Sequence, residues 1–227
     1  MPKIKQEFIK NQYRSGIESY VDLTKRIGLW QSERYVFKKY LNLSDQILDL
    51  GCGTGRTTFP LFELGFENII GVDLTPEMIE NAIELNQHFG QNILFEIGDA
   101  TNLRFENEQF DSIIFSFNGL MSIPNQLNRT TAIHEINRVL KTEGIFLFTT
   151  HDREKEPQYL EFWKEEAERW KSGNQNPTFF EFGDLIAPSK NESREIFIHI
   201  PNQKEVRELL TKNGFEIIET FYRSDRF

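Results

Sequence analysis

The sequence predicts an α/β domain built on a doubly wound, mostly parallel sheet with helices on both faces. Three observations carry that prediction. Residues 46 to 150 alternate short apolar runs with helical patterns, as stacked βαβ units do. The first run, "QILDL", leads straight into the glycine turn "GCGTG", the connection that opens the ligand crevice of such sheets. Glycines and helix-start residues then punctuate the segments that follow.

In chain order, "QILDL" is the first strand, and a helix from Thr57 to Leu64 stops at Gly65 before the second strand, "NIIGVD". The next helix has Thr75 as N-cap, Pro76 at its first position and Glu77 facing its positive end; it runs to Phe89 and stops at Gly90. "ILFEI" and "FDSIIFSF" are strands three and four, joined by "GDATNLRFENEQ". "NRTTAIHEINRVL" places Ile133, Ile136 and Leu140 on one helical face, and "GIFLFTT" supplies strand five.

From 151 to about 201 the alternation lapses. "QYLEFWKEEAERW" sets Leu160, Trp163, Ala167 and Trp170 at helical spacing, and the runs "TFFEF" and "REIFIHI" flank the polar linker "APSKNES". The expectation is a cover insertion, a helix and a hairpin, lying over the rim of the sheet, with both tryptophans serving as packing. "NQKEVRELLTKNGFEIIETF" restores helix, terminal glycine and strand. Residues 1–45 read as an N-terminal helical cap, with "YVDLTKRIGLW" and "SERYVFKKYL" as helices, and 46–227 as the main domain.

Composition narrows the function. A net charge of −9 argues against a broad nucleic-acid or anionic-membrane footprint. The single cysteine, Cys52, lies inside the glycine turn, so neither an intrachain disulfide nor a four-cysteine zinc site can form, and a reducing cytoplasm is expected. The start, "MPKIKQEFIKNQYRSG", lacks the apolar segment of a secretory signal, and no later run approaches the ~18 apolar residues of a membrane span. Without an HxH or HxxxH pair or an Asp-rich calcium loop, no metal is expected.

The glycine turn decides among nucleotide-like ligands. In the nicotinamide pattern G-x-G-x-x-G, Gly51 and Gly53 match, but Arg56 stands where the third glycine belongs. Asp49 would repel a pyrophosphate. A ligand carrying positive charge fits better, and S-adenosylmethionine has a sulfonium and an ammonium and no phosphate. The glycines would let backbone approach it, while Asp49 would attract the ammonium, directly or through water. Asp73 ends strand two eighteen residues after Gly55, close to the ~20 expected for an acid that grips ribose hydroxyls. Asp99, after strand three, would accept from the adenine amino group while the Ala100 amide donates to the ring.

"ILDLGCGTGRTT", "IIGVDLTPEMIENA", "IGDATNLRFENEQFDSIIFSFNGL" and "EINRVLKTEGIFLFTT" resemble the successive motifs of the class I S-adenosylmethionine-dependent methyltransferases, a Rossmann-like family. The resemblance covers roughly residues 40 to 150 and returns for the last helix and strand. It implies that Asp49, Gly51, Cys52 and Gly53 surround the methionine portion, that Asp73 binds the ribose, and that Asp99 and Ala100 bind the adenine. Leu74 and Met78 would flank the purine; Arg56, Phe117 and Asn118 are further positions at the methionine end. Tyr13 and Tyr20 resemble the N-terminal aromatics that close over the cofactor in small-molecule members, so the cap is expected to act as a lid. The family sheet usually ends with a seventh, antiparallel strand, which has no counterpart after "FYRSDRF".

The acceptor reading follows by exclusion. Enzymes that methylate amino groups of nucleic acid and protein glutamine share an Asn/Asp-Pro-Pro-aromatic motif after strand four, where this chain reads "SFNGLMSIP". Cytosine-C5 enzymes need a cysteine there, and the only one is Cys52, which serves as a small filler in the turn. A small-molecule acceptor in a pocket lined by Phe117, Met121 and Phe179 or Phe180 is therefore expected, with His151 as candidate general base. A non-catalytic S-adenosylmethionine sensor or partner subunit is the alternative; an NAD-dependent oxidoreductase is opposed by Arg56 and Asp49.

Overall fold

The computed structural model describes residues 2–155, 157–188 and 194–226. Three helices, α1 (Gln6–Arg14), α2 (Ile17–Arg26) and α3 (Gln31–Tyr40), precede the first strand. Five parallel strands, β1 (Ile47–Leu50), β2 (Ile69–Asp73), β3 (Leu94–Ile97), β4 (Phe110–Phe115) and β5 (Leu140–Phe148), form one sheet in the order β3-β2-β1-β4-β5. The chain leaves β1 toward one edge and restarts at β4 toward the other. The crevice this creates lies beyond the carboxyl ends of the central strands.

Helices cover both faces. Between the strands run α4 (Thr58–Glu63), α5 (Pro76–His88) and α6 (Gln126–Val139); after β5 come α7 (Leu160–Lys171), α8 (Gln203–Thr211) and the short α9 (Arg223–Arg226). Strand alternation sorts the core: Leu48 and Leu50 of β1 pack with Ile133 and Ile136 of α6 and Leu210 of α8, while Ile47 packs with Phe37 of α3, Phe59 of α4 and Ile79 of α5. Each such side chain, fully removed from water, contributes about 1.5–3 kcal/mol.

Two expectations are corrected. The cover hairpin pairs β6 (Asp184–Pro188) with β7 (Glu195–His199), so "TFFEF" is the loop before it. Asp184 Oδ2 accepts from the amides of Phe180 and Glu181, and Phe179 docks in a cluster with Ile4, Ile9 and Phe197; these contacts hold the run as a turn. Most of the linker "APSKNES" lies outside the described residues. The run after Gly214 is not a sheet strand: Phe215 and Ile217 pack on the core, but Glu219 accepts from Lys39 Nζ (3.0 Å) and Tyr40 Oη (2.8 Å) of α3, which draws the chain away from a ladder with β5. At the start of α5, Thr75 is the N-cap residue, yet its side chain makes no capping bond; its amide donates to Asp73 Oδ1 at 2.8 Å instead.

The first three helices have different attachments. Thr24 of α2 meets Thr54 of the glycine turn at 2.7 Å through their hydroxyls, and Phe37 of α3 is part of the main core. The helix α1 instead joins the cover: Ile4 and Ile9 cluster with Phe179 and Phe197, and the Ile4 amide donates to the Thr178 carbonyl at 3.3 Å.

Candidate active site

The glycine turn combines three left-handed backbone positions, with φ of 66° at Gly51, 56° at Gly53 and 91° at Gly55, a region that residues with a Cβ rarely adopt. Their bare faces do different work. A Cβ on Gly51 would come within 2.6 Å of Phe115 and one on Gly55 within 2.5 Å of Phe59, whereas one on Gly53 would meet nothing within 4 Å. Gly51 and Gly55 allow close packing, and Gly53 opens onto a cavity.

That cavity, about 540 Å³, lies beyond the ends of β1, β2 and β4 and beneath α1. Asp73 stands in its wall with Oδ2 accepting from the Gly53 amide at 3.0 Å and Oδ1 from Thr75. The glycine turn and the entry to α5 thereby fix the carboxylate, and each oxygen keeps a lone pair for a ligand hydroxyl. Burial raises the Asp73 pKa and the backbone donors work against it. Asp99 uses Oδ1 for the Thr101 amide (2.9 Å) and hydroxyl (2.8 Å), while Oδ2 accepts from Gln6 Nε2 of α1 at 2.5 Å.

Of the residues predicted for the cofactor, Gly51, Cys52, Gly53, Arg56, Asp73 and Leu74 line the cavity. Met78, Asp99, Ala100, Phe117, Tyr13 and Tyr20 line it too. Cys52 is buried, which pushes its thiol pKa up. Asp49, Asn118 and His151 are not in the wall.

Each of these three has a physical reason. Asp49 alternates with Leu48 and Leu50, so its side chain points to the α4 face beneath the turn, where Thr58 Oγ1 donates to it at 2.6 Å. Burial pushes its pKa up to about 7, against the Thr58 bond and the Arg56 charge. Asn118, with φ of 66°, follows Phe117 at 56°; its carbonyl accepts from the Met121 and Ser122 amides and so spends itself on a tight turn. His151 is exposed after β5, an edge strand, and so leaves the crevice that sits over the sheet centre.

Arg56 does not obstruct packing at the third glycine's position. Its guanidinium forms a fork with the Glu33 carboxylate (2.8 and 2.6 Å), donates to the Gly28 carbonyl at 2.7 Å and lies 5.0 Å from the centre of the Phe117 ring. Gly55 provides the close approach instead. Met121 is a core residue, and Phe179 and Phe180 belong to the cover cluster. The apolar cavity wall is made by Phe115, Phe117, Ile123 and Pro124 with Ile4 and Ile9 of the α1 region. Ile9, Tyr13 and Tyr20 recur at helical spacing, the signal that could have marked Ile9 with the tyrosines.

Glu181, Asp184 and His199 gather under the hairpin. Arg129 pairs with Glu181 at 2.7 Å and His199 Nδ1 lies 2.9 Å from Asp184, so this cluster is tied together by the chain's own groups.

Comparison with known proteins decides the family. A family model described as a methyltransferase domain matches residues 41–219. The chain belongs to the class I S-adenosylmethionine-dependent methyltransferases. This methyltransferase is 31% identical over 234 residues to a demethylmenaquinone methyltransferase of Lactococcus lactis, covering 96% of this chain and 86% of that one. It is 30% identical over 217 residues to an uncharacterised protein of Methanocaldococcus jannaschii, covering 94% and 78%. A solved S-adenosylmethionine-dependent methyltransferase from Methanosarcina mazei superposes with a TM-score of 0.70 at 24% identity, covering 85% and 88%.

S-adenosylmethionine is the cofactor of this methyltransferase, and the cavity offers it the Asp73 and Asp99 carboxylates and a Gly53 face on which a Cβ would meet nothing within 4 Å. Among the described residues no helix is long and apolar enough to cross a membrane.

Proposed function

We propose that this methyltransferase acts on a small-molecule acceptor bound at the apolar end of the cavity, by in-line transfer. The supporting observation is continuity: one cavity is lined by Asp73 and Asp99 and also by Phe115, Phe117, Ile123 and Pro124. In this reading Asp73 holds the ribose, Asp99 and Ala100 the adenine, Leu74 and Met78 its faces, and Gly51 and Gly53 the methionine portion. S-adenosylmethionine, when bound, supplies a methyl group already activated on a sulfonium. The chain's task is then to align the acceptor and exclude water.

The Phe117 ring, 40% exposed despite its place in the wall, offers a face to a planar acceptor. A relative named for demethylmenaquinone points the same way. Tyr13 donates to Ser122 Oγ at 2.7 Å. Burial holds its pKa well above the ordinary value, so it keeps its proton on the bond to Ser122 and is not the group that removes the acceptor's proton.

Labelled methyl transfer from S-adenosylmethionine to a panel of phenols, naphthoquinols, amines, transfer RNA and protein tests the proposal. Turnover is expected on a ring compound, and Phe117→Ala should lower kcat/KM about tenfold through lost stacking, with little change in cofactor Kd. Transfer to RNA or protein with none to small molecules would overturn it.

A further inference from the structure

Polar side-chain contacts tie α1 to the rim of the cofactor cavity. Arg14 pairs with Glu77 at the start of α5, Tyr13 reaches Ser122, and Gln6, the first residue of α1, donates from Nε2 to Asp99 Oδ2 at 2.5 Å. The Gln6 contact differs from the other two, because it engages the acid assigned to the adenine. Asp99 Oδ1 is committed to Thr101, through both its amide and its hydroxyl. Oδ2 is thus the oxygen with capacity for a ligand, and Gln6 already stands on it in the cavity wall.

A carboxamide carries both kinds of group. Using Nε2 on the carboxylate leaves its own Oε1 as a second acceptor beside Oδ2, and an exocyclic amino group has two protons to give. We propose that Gln6 is a specificity-determining residue for the adenine 6-amino group, carried to the cofactor on the N-terminal helix and acting together with Asp99. The proposal rests on the reading of Asp99 as the adenine acid. It gives closure of α1 a chemical condition: the Gln6 Oε1 contact is available only to a purine that donates at position 6. A 6-oxo purine presents an acceptor there, against Asp99 Oδ2 and Gln6 Oε1, and has only the second Nε2 proton of Gln6 to set against them.

The test is equilibrium calorimetry of the full chain with S-adenosylhomocysteine and S-inosylhomocysteine, for wild type, Gln6→Ala and Asp99→Asn. Gln6 is exposed, so its substitution leaves the fold intact. Wild type is expected to prefer the adenosyl ligand, and Gln6→Ala to lose about threefold to tenfold of that preference, the worth of one hydrogen bond, with the inosyl affinity nearly constant. Equal weakening of both ligands, or no change in either, would show that Gln6 only fastens the helix and would overturn the proposal. Asp99→Asn separates the underlying reading: if the preference survives that substitution, Asp99 is not the adenine acid and the proposal falls with it. Failure of wild type to bind either ligand would refute the cofactor-site assignment itself.

Discussion

The side chain of Gln12 bonds both backbone groups of Phe197: Oε1 accepts from its amide at 2.9 Å and Nε2 donates to its carbonyl at 3.3 Å. A single carboxamide thus occupies one ladder position on the outer edge of β7, and Gln12 and Phe197 are both buried. Gln12→Ala would leave two buried backbone groups without partners. A loss of about 2–4 kcal/mol is expected in denaturant unfolding, with faster amide exchange across 195–199; an unchanged midpoint would mean that water replaces the carboxamide.

The glycines of the turn should separate by assay. Gly53→Ala adds a Cβ where nothing lies within 4 Å, so the protein is expected to stay folded, with about 1 kcal/mol of backbone strain, while cofactor affinity falls at least about tenfold. Gly55→Ala drives a Cβ to within 2.5 Å of Phe59 and should lower the Tm more than the affinity. Thermal melts paired with calorimetry read both, and wild-type affinity in Gly53→Ala would show that this face of the turn does not meet the cofactor.

Asp49 should make stability and binding depend on pH. Its folded pKa of about 7, raised from 3.8 chiefly by burial, means that the folded state holds the proton more tightly than the unfolded chain. The associated stability is complete below about pH 4 and declines by ~4 kcal/mol as pH rises to about 7. A cationic ligand favours the carboxylate, so S-adenosylmethionine affinity is expected to increase from about pH 5 to about pH 7, with proton release near pH 6. Calorimetry in two buffers of different ionisation enthalpy measures that proton, and Asp49→Asn should abolish both dependences.

The Arg56 and Glu33 side chains are 8% and 3% exposed, a buried pair whose rupture strands a charge. Arg56→Ala is expected to destabilise by about 3–5 kcal/mol and to release Phe117 from its cationic neighbour. The double variant Arg56→Met, Glu33→Leu should recover most of that loss. A single variant as stable as wild type by urea unfolding would show that the Glu33 carboxylate finds another partner.

The parts of the site that follow from strand ends were readable from sequence. Asp73 ends β2 and Asp99 follows β3 by two residues, and the glycines between β1 and α4 state where the crevice lies. Asp49 was harder: its charge was plain, but its burial follows from alternation with Leu48 and Leu50, which turns it under the turn rather than into the cavity. The cover defeated local reading because "TFFEF" and "DLIAP" are equally apolar; Asp184 and the docking of Phe179 against Ile4 choose between them. The last run after Gly214 failed as a strand for a similar reason, since Lys39 and Tyr40, distant in sequence, capture Glu219. Gln6 carried no signal at all, because its partner Asp99 lies 93 residues away.

The clasp between Gln12 and Phe197 spans 185 residues, whereas the strands of the main sheet are joined by local crossovers. Long-range pairings form late, because the loop they close must be ordered first. During synthesis the parallel sheet can therefore condense around β1 and β4 while α1 waits for β7 to leave the ribosome. On that order the floor of the cavity would be built before its roof, and a nascent chain would pass through a stage in which the cofactor rim is formed and still open to solvent.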